Sequence, residues 1–269
     1  MLALWSALFG LAHAQVNAEA LADQAKEEGF GFGLSLGTAL SAGNVNYFAL
    51  RGEAGVQYLR AFDEAPNAQL WMRDRVFLNA RGAYQTFEGT PIVDERLAHL
   101  RYTHMFKPHI GAEAFLQAQN DLALLLEWRL LAGAGVRYVV FNEPRVGLSL
   151  GAAYMAEYEL RDVPAGGPDA QEVLNHRLST LASWRAVLSP DHLNWTNTVY
   201  LQPRLDDFTD LQFVDESAFE FVISKNLSFN TGLRLRLDTQ PPTEVVPLDL
   251  RWTTGLTLRW AQHPDEPQR

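Results

Sequence analysis

The 269-residue chain contains no cysteine. Disulfides, thiolate metal sites and cysteine nucleophiles are therefore excluded. Lysine is scarce as well: of 22 basic residues only Lys26, Lys107 and Lys225 are lysine, and the other nineteen are arginine. Positive charge is in deficit overall, with 32 acidic residues against 22 basic ones and a net charge of −10. A nucleic-acid partner bound through a basic surface does not fit that balance. Outside the N-terminus no apolar run approaches the roughly 18 residues of a membrane helix, and the mean hydropathy is −0.13. Signatures of chemistry are missing too. There is no G-x-S-x-G, no H-E-x-x-H and no Gly-rich phosphate loop between a strand and a helix. His99, His104, His109, His176 and His192 are scattered without metal-ligand spacing. No catalytic residue, metal or cofactor is expected, and the chain does not read as an enzyme.

What is present begins with residues 1–11, MLALWSALFGL, followed by Ala12-His13-Ala14. An apolar stretch ending in A-x-A reads as a secretory signal peptide, residues 1–14, although no basic residue precedes Lys26. Export without cysteine suits a bacterial envelope protein that does not rely on disulfides. Residues 15–29 read as a short polar leader, helical or disordered.

From residue 30 the hydrophobic period becomes two. Val246, Leu248, Leu250, Trp252, Leu256, Leu258 and Trp260 share one parity, and Asp249, Arg251, Thr253, Gly255, Thr257 and Arg259 the other. Trp128, Leu130, Ala132, Ala134, Val136 and Tyr138 likewise oppose Glu127, Arg129, Gly133, Gly135 and Arg137. Successive side chains of a strand point to opposite faces, so each segment has one apolar and one polar face. The stretches 173–188 and 226–238 behave the same way, whereas 92–106 and 208–223 are mixed. Turn residues divide residues 30–260 into about twelve strands. Tight connections at 107–108, 142–144, 189–191 and 225–226, with a longer one at 61–67, alternate with long acidic ones at 88–94, 160–172, 205–210 and 239–244. Only the tight 41–44 breaks the alternation. Short turns at one end and long loops at the other are the plan of an outer-membrane barrel. The expected fold is all-β: a single antiparallel up-and-down transmembrane β-barrel of about twelve strands, with a polar tail at 261–269. Alternation alone does not say which face is outside. A soluble barrel would turn the apolar face inward, but twelve strands enclose too wide a space for one apolar layer to fill.

Arginine dominates the polar parity. Arg51, Arg73, Arg75, Arg81, Arg101, Arg129, Arg137, Arg177, Arg185, Arg234, Arg236, Arg251 and Arg259 are expected to line the lumen, together with Glu53, Glu113 and Glu127. Glu95, Glu157 and Asp249 share that face. The planar guanidinium fork pairs bidentately with carboxylates, so opposite charges should interleave and fill the barrel. The alternative is a selectivity ladder along a narrow pore for small solutes or ions. Asp206, Asp207 and Asp210 read as a solvated outer loop that a divalent cation could bridge to anionic lipopolysaccharide.

Three stretches carry a family resemblance. TALSAGN (38–44) follows a glycine-rich first strand. The central block runs LAHLRYTHMFKPHIGAEAFLQAQNDLALLLEWRLLAGAGVRYVV from residue 97, with Arg129, Leu131, Gly133 and Gly135 closing an R-x-L-x-G-x-G strand. The ending is SKNLSFNTGLRLRLD…LRWTTGLTLRW (224–260). Together they resemble the YdiY-like family of salt-induced outer-membrane proteins of unknown function. The resemblance implies an outer-membrane barrel and brings no catalytic residues. The partners it implies are outer-membrane lipid, lipopolysaccharide and the outer-membrane assembly machinery. That machinery reads a terminal aromatic residue, here Trp260, although nine residues follow it.

Overall fold

The computed structural model describes residues 28–43, 46–62 and 72–262, without the side chains of residues 39 and 259–262. The expected signal peptide, most of the leader and of the tail, and most of the 61–67 connection lie outside the described residues. Twelve strands follow in order: β1 Gly29–Ser41, β2 Tyr47–Ala61, β3 Met72–Phe87, β4 Thr90–Lys107, β5 Ile110–Asp121, β6 Leu126–Asn142, β7 Val146–Arg161, β8 Glu172–Ser189, β9 Leu193–Pro203, β10 Leu211–Val222, β11 Leu227–Asp238 and β12 Leu248–Gln262. Each pairs antiparallel with its chain neighbour, and β1 pairs with β12 from Phe30–Gln262 to Ser35–Thr257, closing the barrel. Closure removes the two sheet edges that would otherwise expose unpaired backbone groups.

The parity read from the sequence holds, and its apolar face points outward. Trp252 is 73% exposed and its chain neighbour Thr253 only 2%. Leu256, Leu258, Trp128, Leu130, Val136 and Tyr138 are exposed in the same way, while Thr257, Arg129 and Arg137 are buried. An apolar exterior wrapped around a charged interior is the inverse of a soluble barrel.

Two connections differ from expectation. Residues 88–94 are not a long loop. Glu88 and Gly89 have φ of 49° and 77° and form a two-residue turn, and β4 begins at Thr90. Positive φ at both central residues matches the right-handed twist of a hairpin, and β-branched residues such as Thr90 and Ile92 extend the strand. Between β5 and β6, where one strand is expected to end near 119 and the next to start near 124, the turn extends further and β6 starts at Leu126. Leu122–Leu124 form a 3₁₀ turn whose N-cap, Asp121, accepts the Ala123 N–H at 3.1 Å, and Leu125 ends it with φ of 54°. No glycine or proline marks that place, so the apolar period sets the start of the strand two residues early.

The interior also holds apolar groups that alternation does not reveal. Leu59, Phe77, Met105, Phe115, Leu131, Met155 and Leu181 occupy inward positions and are buried. Phe115, Leu131, Ala153 and Met155 pack together. Gly133 lies against the Phe115 ring, and Gly135 lies against the Ala152 carbonyl and Ala153, so a Cβ at either place would collide. Glycine in these strands provides close approach.

Candidate functional site: the barrel interior

Cross-strand register builds the charge network. On the inner face Glu157 of β7 lies opposite Leu131 of β6 and Asn175 of β8. Its diagonal neighbours are Arg129 and Arg177, one on each side, within reach of long side chains. Both bind it: Arg129 through one Nη, and Arg177 Nε at 2.6 Å, with Asn175 Nδ2 donating at 3.2 Å. Glu157 is fully buried. Arg129 is also 3.4 Å from Glu159, and Arg177 reaches Asp210 at 2.9 Å.

A second group centres on Glu95 of β4. Arg51 Nη2 donates to it at 3.1 Å, and Arg251 of β12 pairs with its other oxygen. Ala83 separates Arg51 from Glu95 in the register, and its small side chain leaves the path open. Nearby, Glu53 accepts from Asn79 at 2.7 Å. A third group lies nearer the short-turn end, where Arg137 meets Glu113 at 3.2 Å and donates to Ser149 at 2.9 Å. Arg236 pairs with Asp238 at 2.9 Å near the other end.

Several contacts cross the lumen instead of following the sheet. Arg251 reaches Glu95 from β12 to β4, and Arg129 donates to Gln212 from β6 to β10. Arg81 of β3 lies 3.8 Å from Glu216 of β10, which Arg234 approaches at 3.4 Å. Arg101 of β4 is 3.4 Å from the Tyr200 hydroxyl of β9 and sits over the Phe115 ring. These chords brace opposite walls. Arg51, Glu95, Arg129, Glu157, Arg177, Arg236 and Arg251 all lie within six residues of strand ends at the long-loop end. Most of the ion pairs thus lie toward that end, while Leu59, Phe77, Met105 and Phe115 pack nearer the short turns beside the Arg137–Glu113 pair.

Not every expected residue joins this network. Glu127 is exposed, because the β6–β7 register skips it between Leu126 and Trp128. A bulge re-aims a side chain that strict parity would send inward. Arg73 is the corresponding extra residue on β3, between the Asp74 and Met72 pairings, and Arg75 is half-buried close by. Arg185 caps a turn, donating to Asn142 Oδ1 at 3.0 Å and to the Glu143 carbonyl at 3.1 Å. The Arg259 side chain is outside the description. Conversely, Glu159, Glu216 and Asp238 belong to the network although none was among the expected lumen residues, and only Glu216 lies in a mixed strand. Asp210 does not belong to a solvated acidic turn: it is buried between Arg177 and Arg204. Arg204 also holds Asp206 at 2.7 Å and Asp207 at 3.5 Å. A guanidinium already stands among these carboxylates, and the described residues contain no group of three acidic or histidine side chains arranged for a metal.

A family model described as a protein of unknown function, DUF481, matches residues 68–260. The chain belongs to that family. No curated protein matches it. Among solved structures this DUF481 chain is similar to the NanC porin, at 5% identity and a TM-score of 0.42, over 86% of this chain and 96% of that one. It is similar to the translocator domain of the autotransporter NalP from Neisseria meningitidis, at 11% identity and a TM-score of 0.47, over 90% and 93%. The KdgM porin, solved in complex with disordered oligogalacturonate, aligns at 7% identity and a TM-score of 0.39, over 87% and 99%.

Proposed function

We propose that the protein is a bacterial outer-membrane barrel with a structural role in the envelope, and that its interior is closed to solutes. The observation that carries this reading is deep burial at points spread over the inner wall. Glu157 and Met155 toward the loops, and Leu59, Thr198 and Thr257 elsewhere, are each less than 2% exposed. An aqueous pore would leave such a wall wet. The resemblance to salt-induced barrels supports a role in osmotic or salt stress, in which a sealed, braced barrel reinforces the membrane without leaking ions. Lipid and lipopolysaccharide are the partners of its apolar exterior, and the assembly machinery recognises Trp260. A barrel hydrolase finds no support, because Ser149 is held by Arg137 and Ser183 by Thr198. The test is conductance in planar bilayers. Inserted protein gives no discrete steps on this reading; stable, reproducible porin-like steps overturn it in favour of a narrow channel.

A further inference from the structure

A cluster of charge stands on the outer wall at the edge of its apolar belt. On β2 the outward residues from Leu50 to Tyr58, and on β3 those from Tyr84 to Val76, are all aliphatic, aromatic or glycine over nine residues each. That span matches the roughly 9–11 residues a tilted strand needs to cross a bilayer. Its last row toward the short turns is Tyr58, Val76 and Tyr102, cross-strand partners whose two tyrosines suit the membrane–water boundary. The next outward row is Arg60, Asp74 and His104. Asp74 is its centre. Its Oδ1 accepts from the Tyr102 hydroxyl at 2.8 Å and from His104 Nδ1 at 2.7 Å, and its Oδ2 is left without a donor among the described residues. Arg60 acts electrostatically on Asp74, and Arg73, the extra residue of the β3 bulge, acts on Tyr102. Neither guanidinium makes a hydrogen bond or an ion pair among the described residues. Glu28, just before the Gly29–Leu59 pair, stands next to Arg60 in the register without pairing with it. Asp63 and Glu64 lie outside the described residues. Two guanidiniums and two carboxylates thus stand side by side at the rim of the belt.

We propose that this row is a binding site for a glycerophospholipid whose headgroup carries a primary ammonium beyond its phosphate, as in phosphatidylethanolamine. The phosphate accepts from Arg60 and Arg73, whose guanidinium forks suit phosphate oxygens. The ammonium donates to Oδ2 of Asp74, and the acyl chains run over Val76 and the Tyr58 and Tyr102 rings. Charges of both signs favour a zwitterion over a net anion, and Asp74 calls for a hydrogen-bond donor, which a quaternary ammonium lacks. At the poorly hydrated edge of a bilayer such pairs are stronger than in water. The site rests on the reading of the apolar exterior as lipid-facing and is independent of whether the interior conducts.

The test uses the full barrel, refolded into detergent micelles and checked for folding by heat-modifiable gel migration. Native mass spectrometry then follows adducts with the dioleoyl forms of phosphatidylethanolamine, phosphatidylcholine and phosphatidylglycerol at rising concentration. The expected result is a saturable adduct with the ethanolamine lipid, half-formed at a concentration about tenfold or more below that of the choline lipid. Asp74→Asn and Arg73→Gln bring the ethanolamine lipid to the choline level, and Arg185→Gln, which alters a turn elsewhere, keeps the wild-type preference. Equal binding of the ethanolamine and choline lipids overturns the proposal. So does tightest binding of the glycerol lipid that Asp74→Asn leaves unchanged. The comparison of ethanolamine with choline needs no variant, so it decides the matter even if Asp74→Asn does not fold. Insertion into vesicles is scored separately by protection from added protease. Failure to insert overturns the membrane reading itself, whereas insertion with equal lipid binding overturns only this site.

Discussion

Replacing Glu157 with glutamine leaves the shape of the side chain almost unchanged and removes one charge from the most buried point of the network. Arg129 and Arg177 both depend on that carboxylate, and neither can turn to water, because both lie at most 6% exposed. Breaking a buried pair by removing one partner costs about 3–5 kcal/mol, since it strands the opposite charge. Two guanidiniums are stranded here, but each keeps a second carboxylate, Glu159 at 3.4 Å for Arg129 and Asp210 at 2.9 Å for Arg177. Those contacts bring the expected loss to the lower end, about 3 kcal/mol. The assay is reversible urea unfolding from lipid vesicles, followed by tryptophan fluorescence and gel migration. With slopes of about 1–3 kcal/mol per M urea, the midpoint falls by about 1 M or more. Glu127→Gln is the internal control. It makes the same chemical change at an exposed bulge and stays within about 0.5 kcal/mol of wild type. Equal midpoints for Glu157→Gln and Glu127→Gln would refute the claim that this network braces the barrel.

Gly135→Ala places a methyl group against the Ala152 carbonyl and the Ala153 backbone, and overpacking of this kind costs about 1–3 kcal/mol, so refolding yield and urea midpoint both drop. At the outer loops, hydrogen bonds from the Thr209 side chain, the Thr209 N–H and Gln240 hold the Asp207 carboxyl below the usual aspartate range. A depressed pKa contributes stability above the unfolded value of about 3.9 and loses it as pH falls through the lower folded value. Amide exchange at Thr209 therefore speeds up as pH is lowered through that window, after correction for intrinsic rates, and Asp207→Asn removes the dependence; an unchanged profile in the variant contradicts it.

Much of this architecture is legible in the sequence, and the exceptions have local causes. Period two over β6, β8, β11 and β12 locates strands and faces, because an outward Leu and an inward Arg differ in the most readable property a residue has. The end of the turn at Leu122–Leu124 is blurred, because its residues are as apolar as the strand beside it. Phe115, Leu131 and Met155 blur the polar face of their strands, since a closed barrel need not be wet inside and can fill its width with apolar bulk. Glu127 shows the limit of counting: one extra residue in the ladder reverses a side chain, and a bulge leaves no mark in composition. Pairing partners are harder still. Arg251 finds Glu95, and Arg81 approaches Glu216, across the lumen, at sequence separations that only closure of β1 on β12 brings together.

The absence of cysteine makes the most direct test clean, because any introduced thiol is unique. Leu256, Thr257 and Thr198 are each replaced by cysteine, spin-labelled and reconstituted into bilayers. Collisions with oxygen, concentrated in lipid, are compared with collisions with a water-soluble nickel reagent. A lipid-facing exterior around a closed interior predicts that oxygen reaches the label at 256, the nickel reagent does not, and neither reaches 198 or 257 freely. Ready access of the nickel reagent to 198 and 257 would mean a water-filled lumen, and access to 256 would place the apolar face outside the membrane; either result contradicts the account.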